Sequence, residues 1–159
     1  MARPRLQDEI GKTTPFERPE EEAYLNLIRT AAALGNAVDR LLKPLALSGS
    51  TYNVLRILRG HHRRREPGVP CATIVRHLVV PVPDVTRLVD RLIGLGFAAR
   101  QRDAEDRRVV RVTITPKGLD VLARLDDPIA ALHERQLGHL GPTRLKRLNA
   151  LIVQARTPA

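Results

Sequence analysis

The side chains best placed for chemistry in this 159-residue chain are arginines, and they are clustered. Over 83–95, Pro83, Asp84, Thr86, Arg87, Asp90 and Arg91 alternate with Val85, Leu88, Val89, Leu92 and Leu95. That spacing predicts a helix over 83–95 with one buried face, Pro83 at its first position and Gly96 as its C-cap. Its outward residues near the N-terminal end sit where a helix enters the major groove of duplex DNA. Arg87 can form a bidentate pair with guanine O6 and N7, and Thr86 can touch a thymine methyl or a phosphate. Arg91, one turn further on, is placed for backbone phosphate at most. The competing reading is a solvated Arg87, paired with Asp84 or Asp90 as surface charges often are.

A second group, Asp106, Arg107 and Arg108, lies in a short turn and contains a D-x-R spacing. An arginine at a hairpin tip suits the narrow, negative minor groove of A/T-rich DNA, and a nearby carboxylate holds it in place. The plainer alternative is a solvated charged turn.

Other chemistry is poorly supported. There is no P-loop, no G-x-S-x-G and no clustered carboxylate pair, so an enzyme is not expected. Cys71 is the only cysteine. That rules out an intramolecular disulfide framework and a cysteine-rich zinc site. It sits near a helix start with arginines nearby, where its thiol could sense oxidants, although burial as a small apolar residue is the simpler expectation. His61 and His62 are adjacent and lack further ligands, while His77 and His133 are remote in sequence, so no metal or other cofactor is expected. Two Phe, two Tyr and no Trp are too few for the stacking platforms that single strands need.

The charge distribution agrees with a duplex partner. Residues 1–49 carry 7 basic and 7 acidic side chains, residues 50–118 carry 14 and 6, and residues 119–159 carry 6 and 4. The excess therefore lies in the middle, where a polyanion can bind between nearly neutral flanks. A basic loop, HHRRREPGVP at 61–70, either adds phosphate contacts or is simply solvated. No apolar run approaches the ~20 residues of a membrane span and the start MARPRLQDE has no signal-peptide core. A cytoplasmic protein that does not engage a membrane is expected.

The elements that must position these residues follow from periodicity. Residues 1–18 lack a period and read as a flexible tail. A helix opens at Pro19, with Glu20, Glu21 and Glu22 favoured by its dipole. Tyr24, Leu27, Ala31, Leu34, Val38, Leu41 and Leu45 recur every three or four residues, as in a seam between two long helices or a stripe buried against the same chain. Ser48 caps a helix that Gly60 stops, and a shorter helix covers 72–78. After the 83–95 helix, Phe97–Arg102 and Arg107–Thr115 form a β-hairpin, with Val110, Val112 and Ile114 on one face. Thr115 caps the next helix, which Pro128 should kink or break, and a last helix from Pro142 buries Leu145, Leu148, Leu151, Ile152 and Ala155. The fold class is mainly α with a small β-hairpin wing (α+β), a winged helix-turn-helix between helical ends.

At this level the chain resembles a known family. The run VPDVTRLVDRLIGLGFAARQRDAEDRRVVRVTITPKG at 82–118 is similar to the signature of the MarR family of bacterial regulators. TRLVDRL, the wing DAEDRR and the closing T-P-K-G match, and STYNVLRIL at 50–58 fits the family's second helix. The resemblance covers about Glu20 to Arg156. It implies a dimerisation helix at 19–47, a winged helix-turn-helix DNA-binding lobe at 48–115 and C-terminal dimerisation helices at 116–156. It further implies an obligate homodimer on pseudo-palindromic promoter DNA, usually a repressor relieved by a small-molecule effector or an oxidant. The arginine matching Arg87 is a DNA contact in the family. By the same resemblance Arg108 is the minor-groove probe, Asp106 its orienting partner and Arg107 a phosphate contact. Gly94 inside the recognition helix, Pro128 and the basic 61–70 loop depart from the pattern. Two rival readings stay open: a sequence-indifferent architectural or RNA-binding winged helix, and one used for protein contacts alone.

Overall fold

A computed structural model of the chain describes residues 5–102 and 109–157. It divides into two compact units, with the boundary between Ala37 and Val38.

The first unit holds α1 (Leu6–Glu9) and the larger part of α2 (Pro19–Leu42). The single turn α1 falls where the sequence reads as an aperiodic tail. Leu6 is buried, and Glu9 receives a 2.6 Å ion pair from Arg29 of α2. Pro19 opens α2 as expected, with Glu20, Glu21 and Glu22 in its first turn. The apolar seam does not behave uniformly. Tyr24 is 63% exposed, and Leu27 and Ala31 are exposed too, so this part is uncovered within one chain. Val38, Leu41 and Leu45 are instead half-buried against the core of the second unit, to which they belong. Leu45 lies beyond the helix, in a 3-10 turn over Lys43–Leu45. Pro44 has no N–H to continue the α-helical ladder, which is reason enough for the change.

The second unit contains α3 (Gly49–Arg63), β1 (Val69–Pro70), α4 (Cys71–His77), α5 (Val85–Gly94), β2 (Ala98–Arg102), β3 (Val110–Ile114), α6 (Pro116–Leu137) and α7 (Gly141–Arg156). Ser48 caps α3 by accepting the Thr51 amide, as the sequence indicates. Tyr52, Val54, Leu55 and Leu58 of α3 join Ile74 of α4, Val85, Val89 and Leu92 of α5, Val112 and Ile114 of β3, and Val121, Leu122, Leu125 and Ile129 of α6 in one core. Each large side chain so buried contributes roughly 1.5–3 kcal/mol, and this drives the short helices together.

Gly60 does not stop α3. The helix runs through it to Arg63, and Arg65 takes the left-handed position (φ 58°) that ends it. The Glu66 amide bonds the His61 carbonyl and the Arg65 amide bonds the His62 carbonyl, a Schellman ending without its usual glycine. Beyond Gly60 the helix makes one more turn, in which His61 is buried and bonded to Glu66.

The sheet has three antiparallel strands in the order β1-β3-β2, one more than the hairpin anticipated. The extra strand pairs Val69 with Val112 and Pro70 with Arg111. At two residues with a proline it carries no alternating pattern, and it sits on an edge, where proline is allowed. Of the hairpin's apolar face, Val112 and Ile114 are buried while Val110 is exposed.

Thr115 accepts the Gly118 amide and Pro116 opens α6, as expected. Pro128 does not break the helix, which continues to Leu137 with Leu125 and Ile129 buried on either side of the proline. A 3-10 turn, Gly138–Leu140, leads into α7. No residue of α7 is fully buried: Leu145, Leu148 and Ile152 are half-buried, whereas Leu151 and Ala155 are exposed. The apolar stripe of α7 thus has no complete cover in a single chain. Among the described residues no helix is long and apolar enough to cross a membrane.

Candidate nucleic-acid interface

The helix expected over 83–95 begins two residues later. Asp84 is extended (φ −138°) and its Oδ1 accepts the Arg87 amide at 3.0 Å, so Asp84 is the N-cap and Pro83 precedes it. A carboxylate satisfies an otherwise orphaned helix donor better than proline at the first position, which decides the start. Val85, Val89 and Leu92 are buried, and Pro83, Thr86, Arg87, Asp90 and Arg91 are exposed. The outward face is therefore the one the sequence indicated.

The outward residues differ in what holds them. Arg87 is 87% exposed, with Nε 3.8 Å from the Asp84 carboxylate, a loose contact that leaves the guanidinium facing solvent. Asp90 pairs with Arg100 of β2 at 2.5 Å. Arg91 donates from Nη2 to the Ala46 carbonyl at 2.8 Å. Pro83 and Thr86 have no side-chain hydrogen bond among the described residues. The unbraced groups, Pro83, Thr86 and Arg87, thus gather at the N-terminal end of α5, and the braced ones lie further along it.

Residues outside this helix hold its C-terminal end and the turn that leads into it. Upstream, Asn53 of α3 accepts the Val79 amide through Oδ1 at 2.8 Å and so pins the turn between α4 and α5. Downstream, Gly96 (φ 75°) closes a Schellman ending in which the Phe97 amide bonds Leu92 and the Gly96 amide bonds Ile93. The T-P-K-G segment clasps that ending. Thr115 Oγ1 donates to the Gly96 carbonyl at 2.7 Å, and Lys117 Nζ donates to the Leu95 carbonyl at 2.9 Å. Lys117 also lies over the Phe97 ring, 5.2 Å from its centroid. Carbonyls left over at a helix C-terminus favour such donors, and the lysine charge suits the dipole.

The wing arises from the β2–β3 pairing, Ala98 opposite Ile114 through Arg102 opposite Val110. Arg100, opposite Val112, shares that residue's inner face. Its bond to Asp90 ties the wing's stem to α5. Asp106, Arg107 and Arg108 lie outside the described residues.

The remaining sequence candidates are elsewhere. His61 is buried, its Nδ1 on the Glu66 carboxylate, and its ring stacks on His77 with centroids 5.9 Å apart. Two histidines remote in sequence therefore meet. Arg64 first, and then His61, hold the Glu66 carboxyl below its ordinary range. Among the described residues no group of three or more His, Cys, Asp or Glu could hold a metal. Cys71 is half-exposed and packs beside the core. Part of the basic 61–70 segment is the end of α3, where Arg59, one turn earlier, makes a two-pronged pair with Asp126 of α6 at 2.7 and 2.8 Å. That bond holds the Asp126 carboxyl below the usual aspartate range.

Asn53, Arg100 and Ala46 were not singled out from the sequence. Asn53 interrupts an apolar helix face and so left a faint signal, but a backbone carbonyl such as that of Ala46 leaves none.

Three comparisons agree with this geometry. The model of the MarR family matches residues 47–109. An HTH-type transcriptional repressor, IacR of Pseudomonas putida, is 27% identical over 135 residues, covering 85% of this chain and 78% of that protein. The crystal structure of a MarR transcription factor from Planctomyces limnophilus is 39% identical, covers 87% of this chain and 98% of its own, and superposes with a TM-score of 0.66. The fold is also that of BpsR from Bordetella bronchiseptica, whose DNA binding is regulated by 6-hydroxynicotinic acid. That structure is 20% identical, covers 92% of this chain and all of its own, and has a TM-score of 0.75.

Proposed function

The chain belongs to the MarR family of transcription regulators, and from that premise we propose that it acts as a homodimeric repressor on a pseudo-palindromic promoter site. In this reading each protomer lays the N-terminal end of α5 in a major groove, with Arg87 on a guanine and Thr86 and Pro83 against a thymine methyl or the backbone. The wing residue Arg108 enters the flanking minor groove, Asp106 orients it, and Arg107 meets phosphate. The exposed stripes of α2 and α7 pair the two chains.

The observation that carries this reading is the division of labour along α5. Its second turn and its C-terminal end are bonded to the scaffold, and its loosely held side chains are gathered at the groove-entering end. Fixing the helix while leaving the side chains of its tip to solvent prepares it for a rigid external ligand, since only those side chains remain to be ordered on binding. A small-molecule effector that shifts the separation of the two recognition helices would release the DNA. That the DNA binding of BpsR is regulated by 6-hydroxynicotinic acid supports a small-molecule effector as an element of the proposal.

Selection from random duplexes tests it. The expected product is two inverted half-sites about one helical turn, roughly 34 Å, apart, bound by a species with the mass of two chains. Selection that returns no common sequence would favour the sequence-indifferent binder. An Arg108→Ala protein as tight as wild type on the selected site would remove the wing assignment.

A further inference from the structure

Arg91 is one of the arginines that the sequence offers to DNA, yet its guanidinium is engaged elsewhere. The acceptor, the carbonyl of Ala46, is 45 positions away and lies between the end of α2 and the start of α3. This junction is unusually well defined. Ala46 is left-handed (φ 56°), its amide bonds the Lys43 carbonyl at 3.0 Å, and the Leu47 amide bonds the Leu42 carbonyl at 3.3 Å. Leu42 and Leu47 are both buried. Two residues after Ala46, Ser48 caps α3. The turn is therefore held in a conformation that a non-glycine residue adopts only when its surroundings enforce it.

We infer that Arg91 is a positioning residue, which ties the recognition helix to the α2–α3 junction rather than contacting phosphate. The bond at Ala46 holds the second turn of α5, and the Asp90–Arg100 pair beside it holds the same turn to the wing. With the buried face set by Val85, Val89 and Leu92, these two bonds remove the freedom of α5 to roll about its own axis. A roll would swing Thr86 and Arg87 off the base edges they face, and hydrogen bonds to bases tolerate little misplacement. This inference rests on the proposed DNA-binding role of α5.

The test compares Arg91→Ala with Arg107→Ala and wild type on a selected duplex over a range of salt, with hydrogen exchange on the free proteins. For Arg91→Ala the expected results are about tenfold weaker binding with an unchanged slope of log affinity against log salt, and faster exchange at the Ala46 and Leu47 amides. A phosphate contact gives the opposite pattern, a slope reduced by about 1.8 (about 0.9 for each protomer) with exchange unaltered, and would overturn the assignment. So would binding and exchange both equal to wild type. Exchange is read without DNA, so it decides the Arg91–Ala46 brace even if wild-type protein fails to prefer the selected duplex, a result that would count against the DNA-binding reading instead.

Discussion

Gly118 in the first turn of α6 lies so close to Phe97 that a Cβ at this position would come within 2.2 Å of the Phe97 carbonyl oxygen. The close approach lets Thr115 and Lys117 reach the carbonyls that end the recognition helix. Because the obstacle is backbone, no side-chain rotation relieves it. Gly118→Ala should destabilise the protein by about 3 kcal/mol, in the range of severe overpacking. Urea unfolding checks this: the midpoint should fall clearly, whereas an unchanged midpoint would mean that α6 can withdraw from Phe97 without cost.

Arg65 offers the opposite change. It holds a left-handed conformation at the end of α3 that costs a non-glycine residue about 1 kcal/mol or more. Its neighbour Glu66 makes the polar contacts of this loop, an ion pair with Arg64 and a hydrogen bond with His61, so Arg65 itself is expendable. Arg65→Gly should raise stability by about 0.5–1 kcal/mol, part of the strain relief being offset by the greater freedom of glycine in the unfolded chain. Thermal unfolding of the two proteins side by side decides it.

The Arg59–Asp126 pair fastens α3 to α6 and gives a dependence on pH. The Arg59 side chain is 12% exposed and that of Asp126 is 44% exposed, so solvent screens the bond and its contribution is about 1 kcal/mol. The hydrogen bond from Arg59 lowers the folded-state pKa of Asp126 below its unfolded value. A lowered carboxylate pKa contributes stability that is complete above the unfolded value and is lost as pH falls through the folded one. Wild type should therefore exceed Asp126→Asn at pH 7 and lose that lead below about pH 4. Denaturant titrations at both pH values test the sign; a lead that persists in acid would place the effect elsewhere.

Much of the fold could be read from the sequence because its signals are local. Ser48, Thr115 and Pro19 mark helix starts through their own side chains, and the spacing of Val85, Val89 and Leu92 alone defines the buried face of α5. The errors also have physical causes. Gly60 looked like a helix stop, yet a glycine inside a helix costs only about 1 kcal/mol, and the backbone bonds that end the helix lie one turn later, at His61 and His62. Asp84 and Pro83 both suit a helix start, and only the bond to the Arg87 amide decides between them. Leu151 and Ala155 were expected to be buried because periodicity reveals that a stripe is apolar but not which molecule covers it. At the candidate interface, Thr86 and Arg87 were legible from helix phase alone. The brace on Arg91 was not, since its acceptor is a backbone carbonyl that any residue could supply.

The most direct measurement is competition binding at near-physiological salt, with labelled duplex from a selected site challenged by unlabelled self and by a scrambled duplex. For wild type, self should compete at least ~10³-fold better. Arg87→Ala should reduce that preference by roughly 100-fold or more, the worth of one bidentate base contact in each of the two half-sites, while binding scrambled duplex nearly as wild type does. Equal competition by scrambled duplex against the wild-type protein would contradict the central claim and identify a binder driven by charge alone.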